Sequence, residues 1–171
     1  MTRATVSSAG RSTARPAAFA WAGYAAFACG LLYALVSAYW ALGGTAGVDT
    51  LGGKLEELAR ARQPGLIAVV WVTVALKLAG GVLGLALVRP WGRRPPRWMV
   101  LTAGWGATAL LVLYGGVLVG VQALVQAGVI QASSDMDWKA FHWHLFLWDP
   151  WFLVWGIFLG LAALGFTRRR G

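Results

Sequence analysis

A chain of 171 residues in which 58% are hydrophobic and 12% charged, with a mean hydropathy of +0.63, holds more apolar surface than one small soluble core can bury. Soluble domains carry about 45–50% apolar and 25% charged residues. The net charge is +9, but the arginines stand in short clusters between long apolar runs, so no basic face is available to a nucleic acid. The single cysteine, Cys29, excludes an intrachain disulfide and any cysteine-based zinc or iron–sulfur site.

Residues 1–16 are rich in Ser, Thr, Ala and Arg, and are expected to form a disordered tail near anionic headgroups. Four apolar runs follow, each near the roughly 20 residues that a bilayer core of about 30 Å requires of a helix. They cover about 17–42, 66–88, 98–126 and 150–166. The first is too long and too aromatic for a cleaved signal peptide, whose apolar stretch is about 7–15 residues. Gly43-Gly44 closes it, Gln63-Pro64-Gly65 opens the second and Arg89-Pro90 closes that; proline suits helix boundaries and disrupts helix interiors. Residues 167–171 form a second basic tail. The expected fold is all-α: a polytopic four-helix transmembrane bundle at 17–166, with short interfacial helices in its outer loops.

Orientation follows from the cations outside the spans. Ten arginines (3, 11, 15, 89, 93, 94, 97, 168, 169 and 170) fall on one side, against Lys54, Arg60, Arg62 and Lys139 on the other, together with all six acids. Both termini are therefore expected in the cytoplasm, with the chain in a bacterial plasma membrane. No sequence repeat marks an inverted-repeat transporter.

Small residues let membrane helices approach closely. Gly80 with Gly84, Gly116 with Gly120 and Gly156 with Gly160 are expected to pack the bundle, or equally a homo-oligomer. Lys77 lies eleven residues into the second run, about 16 Å at 1.5 Å per residue, near mid-depth. It shares a face with Gly80, Gly81 and Gly84, so it is expected to point at a neighbouring helix. A lysine at that depth costs about 2.5–3.5 kcal/mol and needs a polar partner. Tyr114 on the third run and Tyr33, in a stripe with Cys29 and Ser37, are the expected partners, with Gln122 further out; the bland alternative is a lysine that only fixes helix register. Lys77, Tyr33, Tyr114, Gln122, Asp149 and Trp155 form the candidate pocket, opening outward.

In the first outer loop, Leu51 to Arg62 carries Leu55, Leu58 and Ala59 among charges and reads as a short interfacial helix. In the second, Trp138, Phe141, Leu145 and Trp148 recur at helical spacing; tryptophans favour the interface, so this segment is expected to lie along the surface and turn inward at WDPW. There Asp149 is expected to cap the fourth helix, with Pro150 as its first residue. His142 and His144 are two apart, a spacing that shares a metal only on a strand, and the local period is helical. They are weak metal candidates, and no metal is expected. No serine–histidine–acid set, phosphate loop or heme motif is present, and no cofactor is expected.

YWALGG at 39–44 and LWDPWFLVWG at 147–156 resemble the hallmarks of a family of small four-span membrane proteins from actinobacteria that is defined as a domain of unknown function. The likeness runs from about Ala17 to Phe166, implies four spans and carries over no catalytic residues. Two functions follow. The preferred one is a non-enzymatic binding, sensing or accessory component, whose partners are the bilayer, a second copy or another membrane protein, and a lipid-like ligand. The alternative is a membrane enzyme, a cyclase or isomerase acting on a lipid or isoprenoid-like substrate, with Trp71, Trp148, Trp151 and Trp155 steadying a carbocation and Asp149 or Glu56 as the acid. A cavity joining Asp149, Lys77 and the tryptophans favours the enzyme; a solid core disfavours it.

Overall fold

A computed structural model describes residues 19–168; the tail expected at 1–16 lies outside them, and of the tail expected at 167–171 only Thr167 and Arg168 are described, as the end of the last helix. The described residues form helices and no strands. Helix α1 is Ala20–Ala41, α2 Gly53–Arg60, α3 Pro64–Ala86, α4 Arg97–Gln126, α5 Trp138–Trp143 and α6 Asp149–Arg168. A π-helical turn, His144–Trp148, joins α5 to α6 without a break, and short 3₁₀ turns stand at Val48–Thr50 and Pro90–Arg93. Four helices are long and apolar enough to cross a membrane: α1, α3, α4 and the continuous helix Trp138–Arg168.

Local chemistry sets most boundaries. Pro64 opens α3 as its first residue and Pro96 precedes α4, positions where a missing N–H is harmless. Leu55, Leu58 and Ala59 share one side of α2, and Glu56 holds Arg60 one turn on at 2.8 Å. The last helix starts earlier than WDPW suggests. Asp137 caps it, its Oδ1 accepting the Lys139 and Ala140 amides at 3.0 and 3.1 Å.

Asp149 is therefore not a cap. Its φ of −83° and ψ of −39° are helical, and it is 3% exposed. The chain does not turn inward at this point. Pro150 offers no N–H to the turn before it, and the helix accommodates it by widening into the π turn, a common way to insert one extra residue. The widened turn brings residues five apart, such as His144 and Asp149, onto one side.

Helix α1 packs between α3 and α6, and α6 between α1 and α4, so α3 and α4 are the outer members. The buried core lies toward the arginine-rich end, with Ala22, Ala26, Leu87, Val100, Leu159 and Phe166 among its members. There Arg97 donates to the Thr167 carbonyl at 2.7 Å. At the other end Lys139 meets Asp49, and the Lys139 hydrogen bond holds the Asp49 carboxyl below its usual range.

Glycine decides where the helices close up. A Cβ on Gly30 of α1 would lie 2.8 Å from the Lys77 carbonyl oxygen and 2.9 Å from Gly81 Cα. A Cβ on Gly80 would meet Trp155 at 2.9 Å, on Gly84 the Gly23 carbonyl at 2.9 Å, on Gly156 Val112 at 2.8 Å and on Gly160 Thr108 at 2.9 Å. The third expected pair differs. A Cβ on Gly116 would meet only Leu153 at 3.9 Å and one on Gly120 open space, whereas on Gly115, one residue round the helix, it would lie 2.6 Å from the Leu153 amide nitrogen. One position on a helix turns the side chain by about 100°, enough to exchange the packed face for the outer one.

Candidate functional site

Toward the acidic end, where the core stops, the helices enclose a cavity of about 390 Å³. Its lining includes Tyr33 and Ser37 from α1, Thr73 and Lys77 from α3, Tyr114 from α4, and His144, Trp148, Asp149 and Phe152 from the last helix. Helix α2 supplies Leu55 and Ala59, and Arg60 and Arg62 stand at the loop side.

Lys77 reaches across the α1–α3 contact and donates to Ser37 Oγ at 2.5 Å. Its ammonium also lies 4.0 Å from the centre of the Tyr33 ring, a cation–π contact. No carboxylate lies within 4.0 Å of it among the described residues. The expected tyrosine partnership thus takes a different form. Tyr33 offers its face, Ser37 provides the oxygen, and Tyr114 lines the cavity with no hydrogen bond of its own among the described residues.

On the other wall three polar side chains converge. Gln122 Nε2 donates to Asp149 Oδ2 at 2.5 Å, and His144 Nδ1 lies 3.4 Å from the same oxygen. Gln122 Oε1 is buried with no partner among the described residues. A buried carboxylate needs donors; Asp149 obtains them from α4 and from the π turn. This carboxylate lies inside the helix bundle, contrary to the expectation that no acid lies inside a span.

Aromatic rings fix the walls. Tyr33 stacks on Trp148 at 5.9 Å and packs against Phe152 at 4.9 Å, and Tyr114 meets Phe152 edge-on at 5.1 Å. Trp148 Nε1 donates to Thr50 Oγ1 at 3.1 Å, tying the first loop over the cavity. Trp151 does not line the cavity; it packs behind Tyr33, ring centres 6.2 Å apart, and donates to the Cys29 carbonyl at 3.1 Å.

The candidates from sequence thus divide. Lys77, Tyr33, Tyr114 and Asp149 line one cavity, and Gln122 supports it from behind through Asp149. Trp155 does not line it: it is a core residue, 3% exposed, packed against Gly30 and Gly80, with its Nε1 unpartnered among the described residues. His142 stacks on Phe146 and lies apart from His144's partners, and no group of three or more His, Cys, Asp or Glu side chains able to hold a metal occurs among the described residues. The site residues unforeseen as such are Ser37, whose stripe with Tyr33 was visible, and His144 as a partner of Asp149. A spacing of five carries no signal on an α-helix and acquires one only on a π turn.

These features define a class: a small all-α protein with four helices long enough to span a membrane and a polar cavity set among them. The profile of a family described as "Protein of unknown function (DUF3995)" matches residues 30–159, and the chain belongs to that family. No curated protein and no solved structure matches the chain.

Proposed function

We propose that this is a non-enzymatic binding or sensing component of the bacterial plasma membrane, holding a small ligand in an outward-facing pocket around Lys77. The observation that carries the reading is the Lys77 ammonium, which borders a cavity of about 390 Å³ with one hydroxyl and one ring face as its partners. Ligand sites are commonly of about 300–1,000 Å³, mostly apolar with a few convergent polar groups. Lipid extraction of the purified protein, followed by mass spectrometry, is expected to release one co-purifying compound from wild type and to lose it in Lys77→Met. That variant keeps length and apolar bulk. An equal yield from both would remove the reading.

Both termini are proposed to be cytoplasmic, from the ten-to-four cation count. On a Cys29→Ser background, a cysteine added at the C-terminus is expected to escape an impermeant thiol reagent in intact cells. Its labelling would reverse the orientation.

The enzyme reading is favoured by one observation: the cavity joins Asp149 and His144 to Lys77 and Trp148. It is weakened by the tryptophans outside the lining. Trp155 is in the core, and Trp71 is exposed outside the cavity lining.

A further inference from the structure

Tyr114 lines the cavity, yet 52% of its surface is exposed. Seventeen residues beyond Arg97, at about 1.5 Å each, it stands about 26 Å along a helix of about 45 Å. The exposure of a cavity-lining side chain includes the cavity itself, so the outward direction is read from its neighbours on α4: Leu110, Leu113 and Val117 line no part of the cavity and are all exposed, which places Tyr114 at the edge of a bilayer-facing side. Across the cavity α3 presents Thr73 and Lys77, and α3 and α4 touch each other far less than they touch α1 and α6 respectively. The cavity is therefore open sideways between α3 and α4, at the level of the bilayer interior.

The charge inside is unbalanced. Asp149 is engaged by Gln122 and His144, and Arg60 by Glu56. Among the described residues Lys77 has no counter-ion, and at the loop side Arg62 reaches one backbone carbonyl, that of Ala41, at 3.4 Å. A cation at this depth is stabilised by an anion. The remaining wall is apolar and aromatic, with Leu66, Ile67, Val70 and Phe152. About 390 Å³ is the space of roughly a dozen water-sized groups, which suits an acidic head and the start of one chain.

We infer that the ligand of the Lys77 pocket is a single-chain amphiphile with a carboxylate or phosphate head, which enters from the bilayer between α3 and α4, sets its head on Lys77 and Ser37, and leaves its tail in the lipid past Tyr114. The inference rests on the pocket reading above and names its ligand class and route.

The probe is 9,10-dibromostearate added to the full chain in nanodiscs of zwitterionic lipid. Bromine quenches tryptophan at contact, and Trp40 and Trp148 line the cavity. Saturable quenching is expected, displaced by oleate and by dodecyl phosphate. Oleyl alcohol is expected to compete at least about tenfold less well, and Lys77→Met to weaken binding by at least about tenfold, while Lys77→Arg, which retains the charge, stays within a few-fold of wild type. Acetate and inorganic phosphate are expected not to displace the probe. On the Cys29→Ser background, Tyr114→Cys is expected to react with a membrane-partitioning maleimide and to be protected by oleate.

Competition by oleyl alcohol equal to that of oleate, or unchanged quenching in Lys77→Met, overturns recognition of the acidic head. Displacement by acetate or phosphate as effective as by oleate overturns the lipid route and assigns the pocket to a soluble anion. Failure of oleate to protect Tyr114→Cys overturns the path past that residue. Each of these leaves the Lys77 pocket itself to the extraction experiment, which uses no added ligand.

Discussion

Asp149→Ala is expected to lower stability by about 2–3 kcal/mol, the cost of leaving a buried donor without its acceptor. Asp149 is 3% exposed, and Gln122 and His144 both address its Oδ2. Alanine removes that acceptor and leaves Gln122 Nε2 without it, beside an Oε1 that is already unpartnered. Asp149→Asn keeps an oxygen for Gln122 but replaces a charge-assisted bond by a neutral one, which is roughly half as strong; a loss of about 1–2 kcal/mol follows. The double variant Gln122→Leu with Asp149→Leu is expected to be milder than Asp149→Ala, because no buried donor is then left behind. Reversible unfolding of the purified protein in mixed micelles reads all three. If Asp149→Asn matched wild type and Asp149→Ala lost under about 2 kcal/mol, the residue would be behaving as a helix cap and the buried cluster would carry no weight.

The second large effect is expected at Gly30. A leucine there meets the Lys77 carbonyl at 2.8 Å, Trp155 Cζ2 at 2.8 Å and Gly81 Cα at 2.9 Å already from its Cβ. Two of these three are backbone atoms and have no rotamer to change. Helices α1 and α3 must therefore separate, at a cost of about 1–3 kcal/mol or more for overpacking. The Lys77–Ser37 bond crosses the same contact, so Gly30→Leu should also lose the compound that co-purifies with wild type. Gly120→Leu is the control: its Cβ meets nothing within 4 Å, and a change within about 0.5 kcal/mol is expected. The same micelle unfolding, with lipid extraction alongside, tests both. Equal loss in the two variants would mean that leucine disturbs insertion rather than helix contact. A stable Gly30→Leu would show that α1 and α3 do not need to touch.

Asp149 and the glycines show how far local patterns reach. WDPW contains a good cap residue before a good first-turn residue, and that local pattern is ambiguous: the same four residues fit a helix start or a π turn inside a longer helix. The helix had already begun at Asp137, whose SSDMDW context offers an equally good cap. The pairs Gly116–Gly120 and Gly156–Gly160 have the same spacing, yet only the second lies in a close helix contact. Spacing gives a face, and nothing local says which face meets a neighbour.

The sequence by itself determined that there are four long apolar helices and that Lys77 lies near the middle of one of them, because hydropathy over about 20 residues and a rise of 1.5 Å per residue are properties of single segments. It also determined that Lys77 needs a polar partner, since the cost of a mid-depth charge does not depend on the neighbours. Tertiary structure alone decided which partner that is. Ser37 and the face of Tyr33 take the role because α1 packs on α3 at Gly30, 47 residues away from Lys77 in sequence. It likewise decided that Asp149 joins Gln122 and His144, because that meeting requires α4 to pack on the last helix and the π turn to bring residues five apart onto one side.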